Sequence, residues 1–292
     1  MFSEKKLSTY LNSSKLLSNI DYEKKIRIAI LGSFTLNGLE ETIRVKCADK
    51  KIQCLTYVAG YNQYNQEILN EKSELYKFSS DITFLILDTR SVLGELFFNP
   101  YSISVEDRKQ FVQTKSDEII NLVKIFVNKT QSKLILSNFV IPTYSPYEIN
   151  EAREEFGLQD MVRALNHNIK IELGQDPKIY LYDLNSFVTK FGENNVFDYK
   201  QFFYGDVKIS LDHIPYLAEE FMGYVKAVLG LNKKCIVLDL DNTLWGGRVV
   251  SKKNIDKISK KINFLNNKIL VDKRVEFSFL PFADGISLIR KK

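Results

Sequence analysis

The feature that most constrains this chain is a set of short apolar runs alternating with segments of helical period. The runs are IRIAIL, IQCLTYV, ITFLILD ending at Asp88, KLILSN, KIYLYD ending at Asp183, and CIVLDLD. Each is long enough for a strand and too short for a separate helix, and each is apolar almost throughout rather than at every second position. Strands of that kind are covered on both faces, as in a parallel sheet with helices on either side. Between them, Ser104-Val-Glu-Asp107 reads as a capping box, and Phe111, Ile119, Leu122 and Phe126 fall near one helix face. Asp212 with Pro215 predicts the start of another helix, with Leu217, Phe221, Tyr224 and Val228 on its apolar side and Gly230 at its end. The expected architecture is α/β, a doubly wound, flavodoxin-like parallel sheet.

Composition narrows the setting. Apolar residues make up 45% and charged residues 26% of 292, the balance of a folded globular chain. No run of about 18 apolar residues could span a bilayer, and MFSEKKLSTYLNSSKLLSNI has no apolar signal-peptide centre. The expectation is a cytoplasmic protein with no membrane partner. Cys47, Cys54 and Cys235 show no CxxC spacing and read as reduced core thiols. The net charge of +5 is uneven: from Arg248 onward twelve Lys and Arg face four Asp and Glu, a net of +8, which leaves −3 for residues 1–247. The body therefore lacks the basic stripe that nucleic acid requires, and nucleic acid is not an expected partner.

The run CIVL leads into Asp239-Leu-Asp241-Asn-Thr243. A nucleophilic carboxylate attacking a phosphate must be held rigidly and its charge offset by a cation. A strand end supplies the rigidity, and aspartates at spacing two can be aimed at one Mg²⁺ by a turn after the first. Asp239 and Asp241 are thus candidate metal ligands, and Thr243 can bond within the loop; a helix cap or solvated turn is the structural alternative. The longer string LDLDNTLWGG, preceded by KK and a helix, resembles the haloacid-dehalogenase-like (HAD) superfamily and, within it, the FkbH-like group. DITFLILDTRSVLGELFFNPYSIS, residues 81–104, resembles that group's upstream domain, so the likeness covers roughly residues 25–247. The resemblance implies Asp239 as nucleophile, Asp241 as general acid/base and second carboxylate at Mg²⁺, and Thr243 as loop support. It also implies a phosphorylated three-carbon acid as substrate, and an acyl carrier protein as the partner that receives a glyceryl unit.

Only 45 residues follow Gly247, where the HAD family needs further strands with a Ser or Thr, a Lys and a distal acidic pair. RVVSKKNIDK replaces the expected Gly- and acid-containing loop; Ser251, Lys252 and Asp284 are of suitable types, but no strand context places them. Rich in Lys, Asn, Ile and Ser, the tail reads as low complexity, either a degenerate end or a shifted reading frame, although Ile255, Ile258, Ile262, Leu265 and Ile269 could line one helix face. The expected division is an extension over 1–24, an α/β domain over 25–230, the first strand and catalytic loop of a HAD Rossmann-like domain over 231–247, and the basic tail over 248–292.

The upstream domain carries a second candidate. IRIAIL ends in Gly32-Ser33-Phe34-Thr35, which resembles the first block of SGNH-type esterases without the Asp that precedes their serine. Ser210-Leu-Asp-His213 stands where that family has its histidine, with Ser210 replacing the usual acid. The resemblance implies Ser33 and His213 as an alternative catalytic pair, with Gly60 and Asn138 as oxyanion donors. A tight-turn serine and a first-turn helix histidine are the structural alternatives. Arg90 is a candidate for binding an anionic group, or a strand-end ion pair; His167 reads as surface, and the Asn-Pro of FFNPY as a turn. A non-catalytic interaction module is the remaining reading.

Overall fold

A computed structural model describes residues 5–17, 21–231, 235–239, 264, 268, 271–280 and 286–291. The chain divides into two compact units, Met1–Leu229 and Gly230–Lys292.

In the first unit, α1 (Leu7–Ser14) precedes β1 (Lys24–Gly32), α2 (Leu39–Ala48), β2 (Ile52–Val58), α3 (Tyr64–Leu69), α4 (Glu74–Phe78) and β3 (Ile82–Ile86). Then come α5 (Thr89–Leu93), α6 (Val105–Lys129), β4 (Lys133–Ser137), α7 (Leu158–Leu173), β5 (Ile179–Tyr182) and α8 (Leu184–Phe191). Three further helices follow, α9 (Glu193–Val196), α10 (Tyr199–Gly205) and α11 (Ile214–Val228). The five strands form one parallel sheet in the order β2-β1-β3-β4-β5, the flavodoxin-like doubly wound order.

Strand alternation divides the core in two. Ile26, Ile28 and Ile30 of β1 join Phe84 of β3 and Ile135 of β4 on one face, under α2, α8 and α11. Ala29, Leu31, Leu85, Leu134 and Leu136 lie on the other, under α6 and α7. Every residue of the central strand β3 is buried, as expected of a strand covered on both faces. At the edge the expectation relaxes: Leu55 and Val58 of β2 and Tyr180 of β5 are exposed, because an edge strand has helix cover and a neighbour on one side only. Phe84 stacks flat on Phe221 of α11, ring centroids 4.1 Å apart and planes within 6°.

Local signals hold with one correction. Ser104 Oγ accepts from the Asp107 amide at 3.1 Å and opens the 25-residue α6 as the capping box predicts. The cap position of α11 is His213 rather than Asp212, because the His213 amide first closes a turn onto the Ser210 carbonyl at 2.9 Å. Gly230 follows α11 at φ +68°, the left-handed geometry that ends a helix. Cys47 and Cys54 are buried free thiols, and the interaction with Cys47 together with burial pushes the Cys54 thiol well above its ordinary value.

In the second unit, β6 (Cys235–Asp239), β7 (Val275–Leu280) and β8 (Ile286–Lys291) form an antiparallel sheet in the order β6-β8-β7. CIVLD is the strand anticipated, but its partner Ile286–Lys291 runs antiparallel to it, and the tail read as low complexity contributes two strands. Phe264, Lys268 and Val271 are helical.

Truncating Phe221 to Ala removes the partner of Phe84 and opens a cavity between α11 and the sheet. Urea denaturation is expected to show a loss of about 3–5 kcal/mol with an unchanged m-value.

Candidate active site

Doubly wound sheets open a crevice at the carboxyl ends of their strands, where the strand order reverses. Here that point lies between β1 and β3, and the exit of β3 from Leu87 to Arg90 is its centre. The backbone there leaves the sheet while still buried, so side chains must satisfy it. Ser137 Oγ accepts from the Leu87 amide at 3.2 Å, and Ser33 Oγ accepts from the Asp88 amide at 2.7 Å. Thr89 Oγ1 donates to the Val140 carbonyl at 2.8 Å.

Asp88 is 1% exposed and caps α5 through one carboxylate oxygen, which accepts from the amides of Arg90 at 2.9 Å and Ser91 at 3.3 Å. Its other oxygen pairs with Lys208 Nζ, which lies 4.5 Å from the Phe197 ring centroid and 5.3 Å from that of Phe202. Arg90 does not pair with Asp88. Its guanidinium lies 4.1 Å over the Phe202 ring and pairs with Asp206, which also accepts from Tyr61 Oη at 2.6 Å. That bond raises the Tyr61 phenol above its ordinary value. A cleft of about 200 Å³ adjoins Tyr61, walled by Phe34, Leu36, Gly38, Glu41 and Val58. Gly38, at φ +82°, has no room for a Cβ, which would stand 2.7 Å from Leu7 Cδ1.

The alternative catalytic pair is placed as follows. Ser33 is 1% exposed, and its hydroxyl and amide tie the exit of β1 to that of β3. His213 is half-buried, with its ring against Phe191 and Nδ1 at 2.8 Å from Ser210 Oγ. Ser210 donates its one hydroxyl proton to the Asn195 carbonyl at 2.9 Å, so in the neutral ring Nδ1 is the donor and Nε2 the acceptor. Ser210 thus takes the orienting place of an acid without its charge. Burial lowers the His213 pKa, against a smaller raising effect of Asp212. Each of the two side chains is held by other partners, Ser33 by Asp88 and His213 by Ser210.

Asn138 is engaged at both ends of its amide: it donates to Asp183 Oδ1 at 2.7 Å and accepts from the Asn185 amide at 3.0 Å, tying β4 to the start of α8. Gly60 lines the cleft. Asp239 closes strand β6; Asp241 and Thr243 lie outside the described residues, as do Ser251, Lys252 and Asp284. Among the described residues no group of three or more His, Cys, Asp or Glu side chains could hold a metal ion. Asp88, Lys208, Asp206 and Tyr61 carry the crevice without having been singled out as site residues. Their partnerships span 120 positions from Asp88 to Lys208 and 145 from Tyr61 to Asp206, beyond the reach of any local pattern.

Comparison with known proteins follows this geometry. The sequence model of the FkbH N-terminal domain matches residues 27–226. The chain belongs to the FkbH family. That match runs from within β1 to within α11 and so takes in the whole five-stranded sheet but for the first residues of β1. The crystal structure of the N-terminal part of BF1531 from Bacteroides fragilis, containing a phosphatase domain complexed with Mg, superimposes with a TM-score of 0.69 at 19% identity, over 91% of this chain and 71% of that one. At that identity the likeness shows the fold. A second sequence model, of O-methyltransferases, matches residues 199–292 and overlaps the FkbH match over 199–226. Probable caffeoyl-CoA O-methyltransferases 2 and 1 of Dictyostelium discoideum are 39% and 37% identical over 101 residues, 34% of this chain. The chain spans 38% and 39% of their lengths. The tail expected to be degenerate or frame-shifted falls within the O-methyltransferase match.

Two outcomes test the site. Lys208→Met leaves the Asp88 carboxylate buried without its cation and is expected to cost about 3–5 kcal/mol in equilibrium unfolding, with most of it restored in Asp88→Asn/Lys208→Met. For His213, the lowered folded pKa means that the unfolded ring binds its proton first as pH falls. Its stability contribution is therefore complete above the ordinary value of 6.5 and is lost as pH drops through the lowered folded value. With two histidines in the chain, the His213 ring resonance is readily assigned by NMR. Ser210→Asp should move its titration midpoint upward, and His213→Gln should flatten the fall in stability below pH 6.5.

Proposed function

We propose that this chain serves phosphoryl-transfer chemistry of the FkbH kind, on a phosphorylated three-carbon acid whose glyceryl unit goes to an acyl carrier protein in a cytoplasmic setting. The observation that carries the reading is an FkbH N-terminal domain followed directly by LDLDNTLWGG, with Asp239 closing a strand. Asp239 attacks phosphorus, the bond from phosphorus to the leaving oxygen breaks, and Asp241 protonates that oxygen. Asp241 then takes a proton from the water that hydrolyses the aspartyl phosphate, while Thr243 holds the loop.

Mg²⁺ is commonly held by one or two carboxylates together with waters and substrate phosphate oxygens, so the oxygen donors of Asp239 and Asp241 fit it in number and chemistry. When bound it offsets the charge of the phosphate. Release of phosphate from an aryl phosphate should require Mg²⁺ and vanish in Asp239→Asn; release that persists in that variant would overturn the reading.

The free Nε2 of His213, oriented by Ser210, favours a second reading as a metal-independent esterase that uses Ser33. Hydrolysis of a short acyl ester that survives EDTA and disappears in Ser33→Ala is its test; no hydrolysis in the parent protein rejects it. Among the described residues no helix is long and apolar enough to cross a membrane.

A further inference from the structure

We infer that Arg90 is an anion receptor at the crevice and that Asp206 is its built-in, displaceable occupant. The two ion pairs at the exit of β3 differ in a way that points there. Asp88 is fully enclosed and its carboxylate also caps α5, so its pairing with Lys208 is a fixed anchor. Arg90 and Asp206 retain 23% and 29% side-chain exposure, and the Asp206 carboxylate has no capping duty. The backbone of Asp206 is held separately, its carbonyl accepting from the Thr35 amide at 2.9 Å, so the carboxylate can turn away while the loop stays.

The receptor is shaped for a planar or tetrahedral anion. The guanidinium carbon lies 4.1 Å from the Phe202 ring centroid, and its planar fork of donors matches the oxygens of a carboxylate or phosphate. Tyr61, on the rim of the 200 Å³ cleft, adds a hydroxyl donor to the same carboxylate. A carboxylate or phosphate entering by the cleft would meet the two donors that Asp206 now uses, so the exchange conserves hydrogen bonds. Asp206 sits at φ +51°, a conformation uncommon outside glycine, at the end of a helix whose Phe203 and Tyr204 are 59% and 85% exposed. The ligand class is an anionic hydroxy acid or its phosphate ester; that choice of probe rests on the phosphoryl-transfer reading, whereas the exchange at Arg90 does not.

An internal competitor lowers apparent affinity by the fraction of molecules in which it occupies the receptor. Asp206→Asn removes the competing charge while keeping a residue that tolerates the left-handed region. Calorimetric titration of the full chain in the Asp239→Asn background, where turnover by the proposed nucleophile is blocked, would use 3-phosphoglycerate and, separately, inorganic phosphate. Expected is binding about tenfold tighter or more in Asp206→Asn for at least one probe, abolished when Arg90→Gln is added. Arg90→Lys, which keeps the charge but not the fork, serves if the Gln variant melts early and should weaken binding at least several-fold. No tightening in Asp206→Asn for either probe, or tight binding that persists without Arg90, would overturn the inference. Because the readout is binding, failure of the phosphate-release assay leaves this result standing, and the reverse also holds.

Discussion

A carboxylate with no access to water at the end of the central strand is the constraint on which this domain turns. Asp88 follows closely on a strand buried over its whole length, and a carboxylate in such a place requires a cation and hydrogen bonds around it. Two amides of α5 supply the bonds and Lys208 the charge. Lys208 comes from 120 residues downstream, so neutralising Asp88 also fixes the course of the chain from Phe197 to Ile209, which closes on itself through a bridge between those two residues. Phe197 and Phe202 lie against the lysine, keep water from the pair, and present Phe202 to Arg90.

The crevice is therefore assembled from its polar centre outward. Ser33 and Ser137 each accept through the hydroxyl from an amide that leaves the sheet before it reaches solvent. Asn138 is engaged likewise at the next strand. Arg90, Asp206 and Tyr61 stand apart as a network whose members keep partial exposure beside a cleft.

Two likenesses meet in this chain. The FkbH match and the O-methyltransferase match share residues 199–226, the stretch that carries Lys208 and most of α11. Beyond Gly247 the methyltransferase likeness occupies the length in which a phosphoryl-transfer domain would place its lysine and distal acids. In the described part of that unit, the strand ending at Asp239 pairs antiparallel with the strand that ends at Lys291. The folded mass that belongs to the FkbH family is the α/β unit, and the crevice lies within it.

The sequence by itself determined the layer architecture, because apolar runs without alternation leave a strand no solvated face and so require helices on both sides. It also determined the capping of α6, since Ser104 and Asp107 are neighbours in the chain and their bond needs no other element. The partner of Arg90 was not legible: Asp88 is two residues away, yet the pair forms with Asp206, 116 positions on, because Asp88 is already taken by Lys208. The antiparallel pairing of CIVLD was equally hidden, since its apolar pattern fits either direction and the partner strand lies about 50 residues beyond it. Only the tertiary structure decided which charges meet, because ion pairs are set by where the fold brings side chains together and not by their spacing along the chain.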